Sequence, residues 1–323
     1  MTKYLMLELD TNIAQITIQL TQRCNFRCDY CVYTAKDYDM QRTHSAKRIS
    51  EEKAKKAIDF LAEHSVNRDE VCIGFYGGEP LLEYHLLKEL ILYAEDVFEG
   101  KKLRFTITTN ASLLSNEIAA FLEAHNVYVT ISIDGSKKAY AENGKGTYDD
   151  VLKAALLIKN KYAKLWEKMR FNVVIDSRFP CEEVYAEIDR SELFNSVNTN
   201  TTLIDDGFDV EKIIPDEIYH IENCESMLKV YLAEIGRYSD ARVSETVKQN
   251  VNSKKQQVYR KLKEVGKLQS DTSHGGPCIP GQKRLFVNCD GNFYPCERVS
   301  ETSEAMKIGC VENGFDYDKA DAL

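Results

Sequence analysis

At residues 21–31 the chain reads Thr-Gln-Arg-Cys-Asn-Phe-Arg-Cys-Asp-Tyr-Cys, which sets Cys24, Cys28 and Cys31 in the spacing C-x3-C-x2-C. The segment follows an apolar run, residues 13–20, that is typical of a β-strand. Three thiolates so close in sequence can bind three irons of a four-iron cube, and the fourth iron then stays open to a substrate. The segment therefore predicts an iron–sulfur cluster with one open iron.

A zinc site and a disulfide framework are the two other interpretations of these cysteines. Structural zinc is usually held by paired C-x2-C elements or by Cys and His together, and no such pair follows the segment nearby. A disulfide framework is typical of short secreted proteins, whereas this chain has ten cysteines in 323 residues and no signal peptide. The cluster interpretation is therefore favoured.

The segment resembles the cluster loop of the radical S-adenosylmethionine (SAM) enzymes, including an aromatic residue, Tyr30, just before the last cysteine. The resemblance implies that Cys24, Cys28 and Cys31 ligate a [4Fe-4S] cluster and that Tyr30 belongs to the cofactor site. It implies that the amino and carboxylate groups of SAM bind the free iron. One-electron reduction, by a donor such as flavodoxin or ferredoxin, would then yield a 5′-deoxyadenosyl radical.

The overall composition limits the partners. A net charge of −9 argues against a nucleic-acid partner, because neutralising phosphates requires clustered Lys and Arg. The strongest basic stretch, residues 248–267, is interpreted as the solvated face of a helix. The chain has no signal peptide and no apolar run long enough to span a bilayer, so we expect a cytoplasmic protein without a membrane partner.

Strand-like and helical patterns alternate through the first two thirds of the chain. A short strand is predicted before a turn at residues 10–12, and Ser50 is predicted to cap a helix. Further strands are predicted at 13–20, 71–76, 103–108, 127–133, 170–175 and 201–204, and helices near 83–98, 115–124, 147–164 and 182–194. Six strands alternating with helices indicate an α/β fold with a parallel sheet. The resemblance implies a partial (β/α)6 TIM-like barrel.

Polar motifs follow three of the predicted strands, at the end where such folds place their chemistry. Gly77, Gly78, Glu79 and Pro80 end one strand, and adjacent glycines allow a ligand to approach the bare backbone. This run resembles the Gly-Gly-Glu element that holds the SAM amino group in radical SAM enzymes. Asn110 and Ser132 end the next two strands and resemble SAM-site residues of the peptide-modifying branch.

The chain departs from that branch at the expected partner of the SAM carboxylate. An Arg-containing stretch commonly precedes a Gly-Lys-Gly-Thr-Tyr segment there, and this chain keeps residues 144–148 while the preceding part is shortened. Lys145 and Lys153 are the substitutes proposed from their proximity in sequence. No catalytic acid or base is assigned.

A second cysteine pattern begins near a compositional boundary at residues 273–278. An Asp-Gly turn between two strand-like runs predicts a β-hairpin with Cys278 and Cys296 at its two ends. This opening resembles a SPASM domain, the auxiliary-cluster module of radical SAM enzymes, and implies an auxiliary [4Fe-4S] cluster. The later cysteines of such modules are missing, so we expect a truncated module. Cys289 and Cys310 are further candidates for a four-cysteine site, with iron–sulfur or zinc.

The predicted organisation is a radical SAM barrel at 1–210, a helical bridge at 211–272 and a small SPASM-like extension with a β-hairpin at 273–323. The expected function is hydrogen abstraction from a peptide or protein, with thioether formation in a Cys-containing ribosomal peptide. Anaerobic sulfatase maturation, which makes formylglycine, is the alternative among enzymes. A non-catalytic zinc or redox protein is the alternative from another class. No N-terminal peptide-recognition domain is expected, because the cysteine segment comes so early.

Overall fold

The computed structural model of the chain describes residues 3–28, 30–31, 44–142, 148–195, 198–203, 217–264 and 280–323. Within these ranges, no helix combines the length and the apolar character needed to cross a membrane. The Cα packing divides the chain into two compact units. The first comprises 1–132, 144–169 and 276–323, and the second comprises 133–143 and 170–275.

The described secondary structure alternates between strands and helices in the first two thirds of the chain. The strands are β1 (Gln15–Thr21), β2 (Glu70–Gly77), β3 (Lys102–Thr109), β4 (Tyr128–Asp134), β5 (Met169–Ile175), β6 (Asn198–Leu203), β7 (Leu285–Val287), β8 (Asn292–Tyr294), β9 (Gly309–Cys310) and β10 (Gly314–Phe315). The helices are α1 (Lys3–Thr11), α2 (Glu51–Glu63), α3 (Tyr84–Val97), α4 (Asn116–Ala124), α5 (Lys137–Glu142), α6 (Tyr148–Lys161), α7 (Ala163–Trp166), α8 (Cys181–Arg190), α9 (Glu192–Asn195), α10 (Glu217–Glu234), α11 (Glu245–Glu264) and α12 (Tyr317–Asp321).

The sheet of the first unit has the strand order β10-β9-β8-β7-β1-β2-β3-β4. Strands β7, β1, β2, β3 and β4 run parallel, and β8, β9 and β10 add antiparallel pairs. Six of the seven residues of β1 are buried, as expected for a strand covered on both faces of a parallel sheet. The predicted strands β1 to β6 are confirmed, each within a few residues of its expected bounds.

Helix α2 begins where the sequence predicts. The side chain of Ser50 accepts a hydrogen bond from the backbone N–H of Lys53, and Glu51 and Glu52 lie in the first turn. Acidic residues there interact favourably with the positive end of the helix dipole.

The prediction of a strand before the turn at residues 10–12 is wrong, because this segment is the helix α1. Leu7 and Leu9 would share one face of a strand, yet Leu9 is fully buried and Leu7 is 54% exposed. The backbone N–H of Asn12 donates to the carbonyl of Glu8, four residues earlier, at 3.0 Å. Leu9 is therefore a core residue on a helix. Apolar alternation over so short a segment is not enough to distinguish a helix from a strand.

The C-terminal hairpin extends the sheet of the first unit. Strand β7 pairs parallel with β1 over the register Ile16–Leu285 to Ile18–Val287, and β8 pairs antiparallel with β7 as the hairpin prediction requires. Phe293 on β8 packs on Phe60 of α2 and on Phe315 of β10. The division of the chain into three domains stays a prediction.

The second unit contains the parallel pair β5 and β6 together with α8, α10 and α11. Asp189 near the end of α8 accepts hydrogen bonds from the backbone N–H groups of Glu245 and Thr246, which open α11. This carboxylate caps α11 and fixes it to α8.

Candidate functional site

The cysteine segment begins at the carboxyl end of β1, and Cys24, Cys28 and Cys31 are half-buried and not joined by disulfides. Phe26 between them is buried, and the backbone N–H of Cys31 donates to the carbonyl of Cys28 at 3.0 Å. The segment is therefore a turn anchored by one aromatic side chain. Tyr30 is half-buried beside the last cysteine.

Gly77 and Gly78 at the end of β2 pack directly on the start of this loop. The backbone N–H of Gly78 donates to the carbonyl of Thr21 at 2.8 Å. A Cβ on Gly77 would lie 2.4 Å from the carbonyl oxygen of Thr21, and a Cβ on Gly78 would lie 2.2 Å from that of Arg23. The glycines are thus required by the close approach of two backbone segments, and their predicted contact with SAM stays a prediction.

Glu79 is 1% exposed, and its carboxylate joins the ends of β2 and β3. Oε1 accepts from Thr109 Oγ1 at 2.7 Å and from the N–H of Leu81 at 3.0 Å, while Oε2 accepts from the N–H of Asn110 at 2.7 Å. Burial raises the pKa of this carboxyl, and the three hydrogen bonds oppose that rise by favouring its ionised form. Its predicted bond to the SAM amino group stays a prediction.

The remaining predicted SAM-site residues lie on neighbouring elements of the first unit. Asn110 is half-buried directly after β3, and Ser132 is half-buried near the end of β4, the next strand of the sheet. Pro80 is buried and opens a short 3-10 helix, Pro80–Glu83. The carboxyl ends of β1, β2 and β3 are thus joined by hydrogen bonds around the cysteine loop. The roles of these residues toward SAM stay predictions.

The cysteine loop has the donor set that a [4Fe-4S] cluster requires. Three half-buried thiols free of disulfides share one turn, and the N–H of Phe26 donates to Cys24 Sγ at 3.3 Å. Burial raises the pKa of the Cys24 thiol to about 11, so cluster binding there releases a proton. Across the described ranges, no three His, Cys, Asp or Glu side chains are gathered as a ready-made metal site. The assignment of the three ligands therefore depends on donor type and spacing.

The C-terminal cysteines differ in their surroundings. Cys296 and Cys310 are half-buried, whereas Cys278 lies outside the described residues. Cys289 is 5% exposed and its Sγ donates to the carbonyl of Gln19 at 3.5 Å. Burial raises the pKa of the Cys289 thiol, so its surroundings favour a protonated sulfur. The auxiliary cluster, with any of these cysteines as ligands, stays a prediction.

Glu301 connects the C-terminal segment to the end of β1. Its carboxylate accepts from Gln19 Nε2 at 2.8 Å and from Gln22 Nε2 at 3.4 Å. The Gln19 side-chain oxygen in turn accepts from the N–H of Cys289 at 2.9 Å. The C-terminal hairpin is therefore hydrogen-bonded to the residues that immediately precede the cysteine loop.

The two lysines proposed as partners of the SAM carboxylate receive no support. Lys145 lies outside the described residues. Lys153 is exposed on α6 and pairs with Asp150, three residues earlier, at 3.1 Å. Both assignments stay predictions.

Three polar residues at the site were not identified from the sequence. Thr109 bonds the Glu79 carboxylate, and Asn25 and Ser112 join their side chains at 2.7 Å across the loop and the end of β3. Thr109 and Ser112 lie within two residues of the predicted site residue Asn110 at the end of a strand, and Asn25 lies between two of the predicted cluster ligands. These positions in the sequence were the only signal that could have identified them as site residues.

Comparisons with known proteins agree with this arrangement. A family model for the radical SAM superfamily matches residues 18–169. An uncharacterised protein of Methanocaldococcus jannaschii is 32% identical over 151 residues, 45% of this chain and 48% of that protein. The serine-type anaerobic sulfatase-maturating enzyme of Bacteroides thetaiotaomicron is 27% identical over 174 residues, 51% of this chain and 41% of the enzyme. This chain thus spans less than half the length of either relative.

The fold is similar to that of a solved anaerobic sulfatase maturase, anSMEcpe, with bound AdoMet and the Kp18Cys peptide. The TM-score is 0.65 at 18% identity, over 95% of this chain and 80% of that chain. The similarity confirms the predicted fold class, a mixed α/β fold with a large parallel sheet, consistent with a partial TIM barrel. Members of the radical SAM family use a [4Fe-4S] cluster and SAM. Residues 18–169 of this chain form a radical SAM domain.

Proposed function

We propose that this chain is a radical SAM enzyme that modifies a peptide or protein. The observation that carries the proposal is the cysteine loop at the carboxyl end of β1, held by Gly78 and Glu79 at the end of β2. When bound, the cluster and SAM supply a 5′-deoxyadenosyl radical after one-electron reduction. The role of Cys24, Cys28 and Cys31 is to hold the cluster. A small electron-carrier protein such as flavodoxin or ferredoxin is the proposed electron donor.

The proposed reaction is a thioether cross-link in a Cys-containing ribosomal peptide. The radical would remove a hydrogen atom from a substrate carbon, and the thiolate of a substrate cysteine, after losing its proton, would form the C–S bond with that carbon. The electron left over from this bond would go to the auxiliary [4Fe-4S] cluster. The support is the second group of cysteines, Cys289, Cys296 and Cys310, in the same unit as the cysteine loop. An auxiliary [4Fe-4S] cluster at Cys278 and Cys296 is part of this proposal.

Sulfatase maturation is the second candidate. It is supported by the similarity to the serine-type anaerobic sulfatase-maturating enzyme of Bacteroides thetaiotaomicron and by the similar fold of anSMEcpe. In that reaction a Cys or Ser side chain of a protein is oxidised to formylglycine.

SAM cleavage tests the proposed class of enzyme. We expect the anaerobically reconstituted protein, given dithionite and SAM, to be brown and to release 5′-deoxyadenosine, because three thiolates leave one iron open to SAM. Liquid chromatography with mass spectrometry measures the product, and iron and zinc analysis of the same sample measures the metal. A fully loaded protein that releases none would contradict the proposal, and a colourless zinc protein would support a non-catalytic role.

Peptide products separate the two candidate reactions. We expect a Cys-containing peptide that becomes a substrate to lose two hydrogens and its thiol reactivity while it keeps its sulfur. Formylglycine formation from Cys instead removes the sulfur and creates an aldehyde that a hydrazide reagent labels. Tandem mass spectrometry with both reagents measures the difference, and an aldehyde product would replace the thioether proposal with sulfatase maturation.

A further inference from the structure

Three side chains form a closed ring of hydrogen bonds beside the cysteine loop. Asn110 Nδ2 donates to Asn25 Oδ1 at 2.9 Å, and Asn25 Nδ2 donates to Ser112 Oγ at 2.7 Å. Ser112 Oγ closes the ring by donating to Asn110 Oδ1 at 2.6 Å, and the backbone N–H of Ser112 donates to the same oxygen at 3.0 Å. In a closed ring each group both donates and accepts, so the bonds polarise one another.

The ring connects the cysteine loop to the rigid end of the sheet. Asn25 is the residue after Cys24, whereas Asn110 and Ser112 follow β3. The backbone N–H of Asn110 is itself held by the buried carboxylate of Glu79 at 2.7 Å. The loop is thus fixed on one side by the amides at the end of β2 and on the other side by the ring.

The same amide group also approaches a predicted cluster ligand. Asn110 Nδ2 lies 4.0 Å from Cys24 Sγ, and the N–H of Phe26 donates to that sulfur at 3.3 Å. N–H donors near a ligating thiolate stabilise its negative charge, and hydrogen bonds to the sulfurs are among the factors that set the reduction potential of a cluster. Asn110 therefore has two ways to act on the cluster, through the position of the loop and through the sulfur.

We propose that Asn110 is a positioning residue that, through the ring with Asn25 and Ser112, fixes the Cys24 sulfur and raises the reduction potential of the bound cluster. This inference rests on the proposed function, since it requires a cluster at the cysteine loop. In this proposal the Asn110 side chain acts on Cys24, a predicted ligand of the cluster, and this role is distinct from a contact with SAM. A loop tether alone would affect cluster retention and leave the potential unchanged.

Asn110→Asp removes the amide donor and keeps the oxygen that Ser112 bonds. We expect the reduction potential of the cluster, measured by EPR-monitored redox titration without SAM, to shift to a more negative value. Iron release to a chelator should become faster, because losing a partner of a metal ligand typically lowers the affinity for the metal ~10- to 100-fold. Asn67→Asp, which also adds a carboxylate and removes one side-chain donor, toward Thr11, is the control for the same substitution away from the loop. A carboxylate at residue 110 also lowers the potential by its own charge, so the uncharged pair of serine variants described next separates this charge effect from the loss of the hydrogen bonds. An Asn110→Asp protein with the potential and release rate of the control would overturn the proposal.

Ser112→Ala provides a second measurement that leaves Asn110 itself in place. It breaks the ring at two bonds, so we expect a smaller shift of the potential in the same direction and a faster release of iron than in the Ser115→Ala control, which loses only the cap of α4. If the Asn110→Asp protein binds no cluster, the comparison of Ser112→Ala with Ser115→Ala tests the proposal. Equal reduction potentials and equal rates of iron release in these two variants overturn it. A wild-type protein without an iron–sulfur cluster would instead contradict the proposed function.

Discussion

Replacing Cys24, Cys28 and Cys31 together with Ala is expected to remove about four iron atoms per chain, the content of one [4Fe-4S] cluster, and to abolish the release of 5′-deoxyadenosine. The reason is that the loop supplies all the protein ligands predicted for this cluster, so that none of these ligands remains in the variant. The fold should survive, because the three side chains are half-buried at a turn and none belongs to the core of the sheet. Iron analysis, the visible spectrum and circular dichroism of the reconstituted protein measure these effects.

A matched control removes three other thiols. Cys72 and Cys181 are buried, whereas Cys224 is exposed. Their joint replacement by Ala should lower stability by the loss of small buried side chains and should leave the iron content and SAM cleavage unchanged. If the loop variant keeps the iron content of the wild type, the assignment of the three ligands is wrong.

The alternation of strands and helices was predictable because each element of a parallel α/β sheet has a strong local pattern. Strand β2 is a short, largely apolar run, β3 alternates polar and apolar residues, and helix α2 opens after Ser50 with two acids. Helix α1 was not predictable in the same way, because its apolar residues fit alternation and helical spacing equally well. Which of Leu7 and Leu9 is buried is decided by packing rather than by the local sequence.

The position of the C-terminal hairpin in the sheet was not predictable from a local sequence pattern, for a different reason. The Asp-Gly turn predicts that β7 and β8 pair with each other, as they do. It carries no information on the parallel pairing of β7 with β1, in which Ile16 lies beside Leu285. Glu301 likewise bonds Gln19 and Gln22, which lie 282 and 279 positions earlier in the chain. Pairings of such long sequence separation depend on the assembled sheet.

The Gly-Gly-Glu run, residues 77–79, was predictable from the sequence only in part. Its place at the end of β2 and beside the cysteine loop was predictable from the strand order of an α/β fold. The sequence could not show that Gly78 is in contact with the carbonyl of Arg23, or that the Glu79 carboxylate bonds Thr109 and the Asn110 backbone. A run interpreted as ligand-binding thus proves also to hold the cysteine loop in place.

Gly78→Ala is the second substitution with a large expected effect. The added Cβ would lie 2.2 Å from the carbonyl oxygen of Arg23 and 2.5 Å from its carbonyl carbon, and both are backbone atoms that no rotamer change can move. The start of the cysteine loop must therefore shift by about 1 Å, which weakens the 2.8 Å bond from the N–H of Glu79 to Arg23. A displacement of that size at a reacting centre can lower a rate by ~100-fold.

We therefore expect the Gly78→Ala protein to lose at least ~10-fold in the rate of 5′-deoxyadenosine release and ~1–3 kcal/mol in the free energy of unfolding. Gly74→Ala is the matched control on the same strand, where the nearest atoms are the hydroxyl oxygens of Thr17 and Thr106 at 3.1 Å. Those side chains can yield by a few tenths of an ångström, so the control should lose stability without a comparable loss of SAM cleavage. Rate and stability are measured on proteins of equal iron content. A Gly78→Ala protein that cleaves SAM as fast as the control would show that the loop tolerates the shift, and that the close backbone approach is not what the site requires of this glycine.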